Sequence, residues 1–210
     1  MKKELDYRLY LVTDRDCLKG RDFLSVLESA LAGGVTLVQL REKDAGGAFF
    51  LEQAILAKQL CDRYQVPLLI NDRVDVALAC NAAGVHLGQS DLPLKAARKL
   101  LGTSATIGIS VHTITEALQA ATDGADYLGV GAVFPTQTKT DATDCNLQVL
   151  EEIVRKVKIP VVGIGGINQE NYLSVLQTGA VGAAVVSAIL AQDDVQKAVE
   201  TFNILEKKSK

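Results

Sequence analysis

Two aspartates, Asp72 and Asp91, each follow a short apolar run at a point where a strand would end. Pro67-Leu68-Leu69-Ile70 leads into Asn71-Asp72, and Val85 to Gln89 leads to Asp91. Were these runs parallel neighbours in one sheet, both carboxylates would leave at the same rim. The Ala-rich link Val74 to Gly84 has the length of the crossover helix that such neighbours require. Two carboxylates converging on one crevice suit a hard cation, since magnesium is commonly held through one or two acidic oxygens with substrate phosphates completing the octahedron. Aspartates in these places also serve as caps for the helices that follow. Both uses are open at this point.

A second set of residues is basic or polar. In the run Val35 to Leu40 and its continuation, two-residue alternation puts Gln39, Arg41 and Lys43 on one face. Ser110 and His112 stand at the end of Thr106 to Val111, and Thr136 to Lys139 lie in the polar segment Pro135 to Cys145. Gly165-Gly166 and Ser187 follow two further apolar runs. Guanidinium and ammonium groups beside metal-holding carboxylates suit a diphosphate. Exposed backbone amides at Gly165-Gly166 and Val186-Ser187 suit a second, metal-free phosphate. Each residue has a plainer use: Arg41 and Glu42 as a structural ion pair, Lys139 as a solvated loop residue, the glycine pair as a tight turn. His86 reads as a hydrogen-bonded core histidine, and Asp14, Cys17 and Cys145 as structural. Independent caps and ion pairs have no reason to gather at one end of successive strands, and that coincidence favours a site.

The elements that must position these residues alternate along the whole chain. Strands are expected at Tyr7 to Val12, Val35 to Leu40, Pro67 to Ile70, Val85 to Gln89, Thr106 to Val111, Tyr127 to Phe134, Ile159 to Ile164 and Ala183 to Val186. Helices are expected at Phe23 to Leu31, Phe49 to Tyr64, Val74 to Gly84, Leu94 to Leu101, Thr115 to Thr122, Leu147 to Val157, Glu170 to Gln177 and Val195 to Lys207. Gly recurs shortly before strands, as in Ala32-Gly33-Gly34-Val35 and Ala82-Ala83-Gly84-Val85. Eight strand-then-helix units of roughly 26 residues each point to an α/β fold, a (β/α)8 barrel formed as a single domain over residues 1–210, with its chemistry at the carboxyl ends of the strands. A doubly wound sheet is disfavoured, because no GxGxxG follows the first strand.

Composition narrows the partners. Lys plus Arg number 22 against 25 Asp plus Glu, a net charge of -3 that supplies no field for nucleic acid. No apolar stretch is long enough for a bilayer, and no apolar h-region follows Met1, so a soluble cytoplasmic protein is expected. Four scattered cysteines without CxxC spacing suggest neither zinc nor a disulfide framework.

The motifs YLVTD (Tyr10 to Asp14), QLREK (Gln39 to Lys43), NDRVDVAL (Asn71 to Leu78), GVHLGQSDLP (Gly84 to Pro93), FPTQTK (Phe134 to Lys139) and GIGGIN (Gly163 to Asn168) resemble thiamine phosphate synthase, in order along nearly the whole chain. The resemblance implies a (β/α)8 transferase that condenses 4-amino-2-methyl-5-(diphosphooxymethyl)pyrimidine with thiazole phosphate, carboxylated or not, to give thiamine monophosphate and pyrophosphate. It implies that Gln39, Leu40, Arg41, Glu42, Lys43, Asn71, Ser110 and Lys139 hold the pyrimidine diphosphate, with Arg41, Lys43, Ser110 and Lys139 catalytic. Thr136, Gln137, Thr138, Gly166, Val186 and Ser187 would hold the thiazole phosphate, and Asp72 and Asp91 the Mg2+. Ala83 stands where the family often has an acid and Ala132 where it often has Pro; neither is expected to touch a ligand.

Two alternatives accompany this reading. A thiazole tautomerase of the same barrel family would handle thiazole phosphate alone and would not need Asp72 with Asp91 or the Arg41, Lys43, Lys139 cluster. A non-catalytic barrel that binds thiamine intermediates would not pair a metal site with two anion sites. The expected partners are small-molecule substrates, with neither nucleic acid nor membrane; a homo-oligomer is compatible with the sequence.

Overall fold

The computed structural model describes residues 4–43, 45–136 and 145–208. Eight parallel strands close into a barrel in chain order: β1 Leu9–Val12, β2 Leu37–Leu40, β3 Leu68–Asn71, β4 Gly84–Leu87, β5 Thr106–Val111, β6 Tyr127–Val130, β7 Val161–Ile164 and β8 Gly182–Val185. Closure is made by β8 pairing with β1, Leu9 opposite Ala183 and Leu11 opposite Val185. Around the strands lie α1 Phe23–Gly33, α2 Gly47–Arg63, α3 Val74–Ala79, α4 Leu94–Leu101, α5 Ile114–Asp123, α6 Leu147–Lys156, α7 Tyr172–Gln177, α8 Ser187–Leu190 and α9 Val195–Lys208, with a 3-10 turn at Arg15–Leu18. Among the described residues no helix is long and apolar enough to cross a membrane.

Local chemistry sets where the helices begin. Asp22 caps α1 by accepting from the Ser25 amide, Asn146 caps α6 by accepting from the Val149 amide, and Thr113 with Glu116 forms a reciprocal capping box on α5. Alternation along the strands then sorts the core into two shells. Leu9, Leu11, Val38, Leu40, Leu68 and Ile70 face the helices, while Tyr10, Val12, Leu37, Leu69, Tyr127, Val162 and Ala184 fill the barrel interior. Interior aromatics need small neighbours. A Cβ on Gly108 would lie 2.1 Å from Cζ of Tyr127, so Gly108→Ala would overpack a rigid ring and cost about 1–3 kcal/mol.

The boundaries differ from the sequence reading in instructive places. Val35 is buried, but its amide donates to Ala30 O; it belongs to the turn that closes α1, and β2 starts at Leu37. Tyr7 packs inside the barrel, its ring centroid 4.9 Å from that of Tyr127, without joining β1. The helix expected over Val74 to Gly84 ends at Ala79, because Asn81 takes a left-handed φ of 54° to turn the chain back toward β4. β6 stops at Val130 rather than Phe134; beyond it the Val133 and Phe134 amides donate to Ile164 O and Gly165 O as the chain bends over the end of β7. The four-residue α8 has no period for a sequence to display.

Candidate active site

Every strand except β4 ends by delivering a polar or glycine residue to one opening, and β4 contributes His86 from its interior. Of the expected site residues, Gln39, Arg41, Asn71, Ser110, Thr136, Gly166, Val186 and Ser187 line this cavity together. Gln137, Thr138 and Lys139 lie outside the described residues.

Arg41 is placed by partners far away in sequence. Its side chain is only 14% exposed, Nη1 lies 3.0 Å from Asp14 Oδ2, and its backbone amide donates to Thr13 Oγ1 at 2.9 Å. Asp14, read as structural, therefore lines the cavity and orients its main guanidinium. The alternative use of Arg41 and Glu42 as an ion pair with each other is not what forms, since Arg41 pairs with Asp14. Arg15 takes Glu42 instead, at 2.7 Å, while its guanidinium carbon lies 4.4 Å over the Phe23 ring. Leu40 is fully buried in the outer shell. The contiguous block Gln39 to Lys43 is thus split: Gln39 and Arg41 enter the cavity, Leu40 and Glu42 turn away, and Lys43 is exposed outside its lining.

Asp72 and Asp91 meet at the seam above β3 and β4. The Asp72 amide extends the ladder to His86 O at 2.9 Å, after which the residue takes a left-handed φ of 60° that reverses the chain ahead of α3. A non-glycine residue in that region marks a position where local geometry is subordinated to placement. Asp91 Oδ2 accepts the Gly88 amide at 2.6 Å. The capping alternative fails for both, since the N-cap positions of α3 and α4 are Arg73 and Pro93 and neither helix has a side-chain cap. Desolvation of its carboxyl raises Asp72 to about 7, helped by the hydrogen bond and charge of Asp91 and opposed by Arg41. The residue as a whole is exposed, so water screens part of this effect; the upward direction follows from the carboxyl contact itself. Two carboxyl groups this close, with Asp72 held toward its protonated form, are a fitting donor pair for a divalent cation, which replaces the proton, although no group of three or more His, Cys, Asp or Glu converges among the described residues.

On the other side, Gly165 and Gly166 have φ of 97° and 63°. A Cβ on Gly166 would lie 2.5 Å from Pro135 O, and one on Gly165 would lie 2.5 Å from Cβ of Ala132. The glycine pair thus lets the chain after β6 close over the end of β7, which is the turn use; it also leaves bare backbone facing the cavity. Ala132 lines that cavity, contrary to expectation, whereas Ala83 packs near the opposite end of the barrel.

Sequence reasoning missed Tyr10 as a lining residue and gave His86 a core role alone. Tyr10 and His86 line the cavity from below, and His112 from the side with Nδ1 on Gly131 O. His86 is the hydrogen-bonded interior histidine that was expected, and one of its partners is Ser110 Oγ at 2.9 Å. Alternation from Val12 would have turned Tyr10 inward.

The family described as thiamine monophosphate synthase is matched over residues 9–189. The thiamine-phosphate synthase of Clostridium tetani is 54% identical over 198 residues, covering 94% of this chain and 95% of that protein. That of Clostridium acetobutylicum is 53% identical over 208 residues, 99% of each chain. The solved thiamine phosphate pyrophosphorylase of Pyrococcus furiosus superposes with a TM-score of 0.90 at 41% identity over 97% of both chains. With its fold, its motifs and its full length thus matched, the chain belongs to the thiamine monophosphate synthase family.

Proposed function

We propose that this chain joins 4-amino-2-methyl-5-(diphosphooxymethyl)pyrimidine to thiazole phosphate, releasing pyrophosphate and forming thiamine monophosphate; a carboxylated thiazole phosphate would in addition lose its carboxyl group as CO2. The observation that carries the reading is one cavity with two unlike ends: Arg41 and Asn71 at one, with the Asp72–Asp91 pair outside the lining but within the electrostatic reach of Arg41, and bare backbone around Gly166 and Ser187 at the other. The charged end suits a diphosphate and the backbone end a monophosphate.

In the first step the bond between the pyrimidine methylene carbon and the diphosphate oxygen breaks, and its electron pair leaves with pyrophosphate. The thiazole nitrogen lone pair then forms the new C–N bond to the resonance-stabilised methylene cation. Bound Mg2+ would supply charge compensation on the leaving pyrophosphate, held by Asp72 and Asp91. Arg41, kept in place by Asp14, takes up developing negative charge, an interaction stronger in the transition state than in the bound substrate. Lys43 and Lys139 are assigned the same role on grounds of charge. Gln39, Asn71 and Ser110 orient the ring, while Thr136 to Thr138, Gly166, Val186 and Ser187 hold the second substrate so that the two meet in line. Leu40 and Glu42 act through backbone only, their side chains being directed elsewhere.

The test is incubation of both substrates with Mg2+, followed by detection of thiamine monophosphate and pyrophosphate in equal amounts. Isomerisation of thiazole phosphate without the pyrimidine would instead establish the tautomerase reading.

A further inference from the structure

Beneath the rim runs a continuous hydrogen-bonded chain whose two ends are cavity residues. Gln39 Nε2 donates to Tyr10 Oη, and Tyr10 Oη lies 2.9 Å from Tyr127 Oη. Tyr127 Oη lies 2.7 Å from His86 Nδ1, and His86 Nε2 lies 2.9 Å from Ser110 Oγ. Gln39, Tyr10, Tyr127 and His86 are all less than 8% exposed, so these groups answer to one another rather than to bulk water. Gly129 makes room for the imidazole, since a Cβ there would lie 2.9 Å from His86 Cε1.

Each hydroxyl has one hydrogen, so the directions of these bonds are not independent. The Gln39 amide nitrogen only donates. Tyr10 therefore accepts from it and passes its own hydrogen to Tyr127, and Tyr127 passes its hydrogen to His86 Nδ1. That leaves the imidazole hydrogen on Nε2, where it is donated to Ser110 Oγ. The Ser110 hydrogen is then directed onward, and the Gln39 carbonyl oxygen is the group left for the cavity.

We propose that this buried chain is a positioning device that holds Gln39 as an acceptor and Ser110 as a donor, and so selects the amino form of the pyrimidine ring over the oxo form. The proposal rests on the reading given under Proposed function. A 4-aminopyrimidine carries amino hydrogens at C4 and a lone pair at N1, on opposite ends of the ring; Gln39 on β2 and Ser110 on β5 stand on different staves of the barrel. A 4-oxo ring presents an acceptor where Gln39 also presents one. To accommodate it, Gln39 must turn over, and with the chain intact that reverses every bond as far as Ser110. Tyr10, Tyr127 and His86 are thus positioning residues that couple two distant side chains.

The test compares kcat/KM for the 4-amino and 4-oxo pyrimidine diphosphates with thiazole phosphate saturating. Intrinsic reactivity of the two rings is common to all variants and cancels in the ratio of ratios. Wild type is expected to favour the amino ring by about 100-fold or more, as sites built around a buried hydrogen bond do. Tyr127→Phe cuts the chain, lets Gln39 turn over with Tyr10 alone, and should lower the preference about tenfold with thiazole phosphate affinity unchanged. Tyr7→Phe, which removes a neighbouring interior hydroxyl outside the chain, should keep it. A folded Tyr127→Phe enzyme with wild-type preference overturns the proposal; if that variant does not fold, Tyr10→Phe takes its place. A second readout needs no turnover. The sequence has 2 histidines, so 15N spectra of labelled protein, assigned with His112→Gln, report the His86 tautomer directly. An Nε2–H imidazole supports the chain, and an Nδ1–H imidazole or an imidazolium near neutral pH overturns it. Absence of thiamine monophosphate with wild type would defeat the reading of function, while the spectra would still decide the chain.

Discussion

The two sides of the rim are built from different material. The β2 to β5 side uses side chains: Arg41, Asn71, Asp72, Asp91 and Ser110. Polar groups taken out of water need partners: Arg41 has Asp14 and Ser110 has His86, both from other segments of the chain, while Asp91 takes the Gly88 amide of its own loop and Asp72 takes Asp91 and Asn71. The β7 and β8 side is made largely of backbone, with Gly165 and Gly166 at left-handed φ so that the chain after β6 can pass within van der Waals reach. Variants on the first side should therefore lose function and keep the fold. Variants on the second should lose geometry, and function with it.

The largest separation should come from the acids. Asp72→Ala and Asp91→Ala are each expected to lower Mg2+-dependent turnover about 100-fold or more, because charge compensation on the leaving group is lost, with little change in thermal unfolding of the metal-free protein. Wild-type Mg2+ affinity in either variant, measured by calorimetry, would remove both residues from the metal site. Gly166→Val tests the other side. Its Cβ would meet Pro135 O, so a loss of about 1–3 kcal/mol in stability should accompany a loss of about tenfold or more in thiazole phosphate affinity. Pyrimidine diphosphate binding should change far less. Equal losses for the two substrates would mean that the cavity is not divided as described.

How far the sequence was legible follows the same division. Alternation along a strand and the recurrence of strand, turn and helix are local signals, and they yielded the barrel, the rim and the convergence of Asp72 with Asp91. Partners from distant segments leave no such signal. Tyr10 and Tyr127 bond across 117 positions, and Arg41 finds Asp14 27 positions back rather than its neighbour Glu42. Glu42 and Leu40 were assigned to the substrate because a motif is contiguous, whereas a strand shows only every second residue to the cavity.

Acidity offers a milder way to probe the charged side. The folded-state value of Asp72 lies above the ordinary carboxylate range, so ionising this group opposes folding. Its favourable contribution is complete below the unfolded value near 4 and is lost as pH rises through about 7. Without Mg2+, thermal stability should fall on this account between pH 5 and 8, and Asp72→Asn should flatten that dependence. Metal binding has the opposite slope, since the cation competes with the proton. From pH 8 to pH 6 the Mg2+ affinity should drop by up to about tenfold, less if water screens the pair. An affinity independent of pH over that interval would separate the two carboxyls.

The smallest effect expected is at Glu42, and it decides whether the whole Gln39 to Lys43 block or only its alternate members face the substrate. Glu42 is 4% exposed and engaged by Arg15, which also donates to Gln53 Oε1 at 2.9 Å and lies over Phe23. This cluster ties the segment after β2 to the 3-10 turn after β1, and so braces the loop from which Arg41 projects. Glu42→Ala should cost about 1–2 kcal/mol, since Arg15 is 35% exposed and can turn to solvent rather than remain as an unpaired buried charge. Turnover should fall no more than about threefold, because the Arg41 pair with Asp14 is independent of it. Thermal unfolding and steady-state kinetics on the same preparation separate the outcomes. A tenfold or greater loss of kcat/KM with an unchanged Tm would place the Glu42 carboxylate on the substrate after all, and would mean that the loop rearranges when the cavity fills.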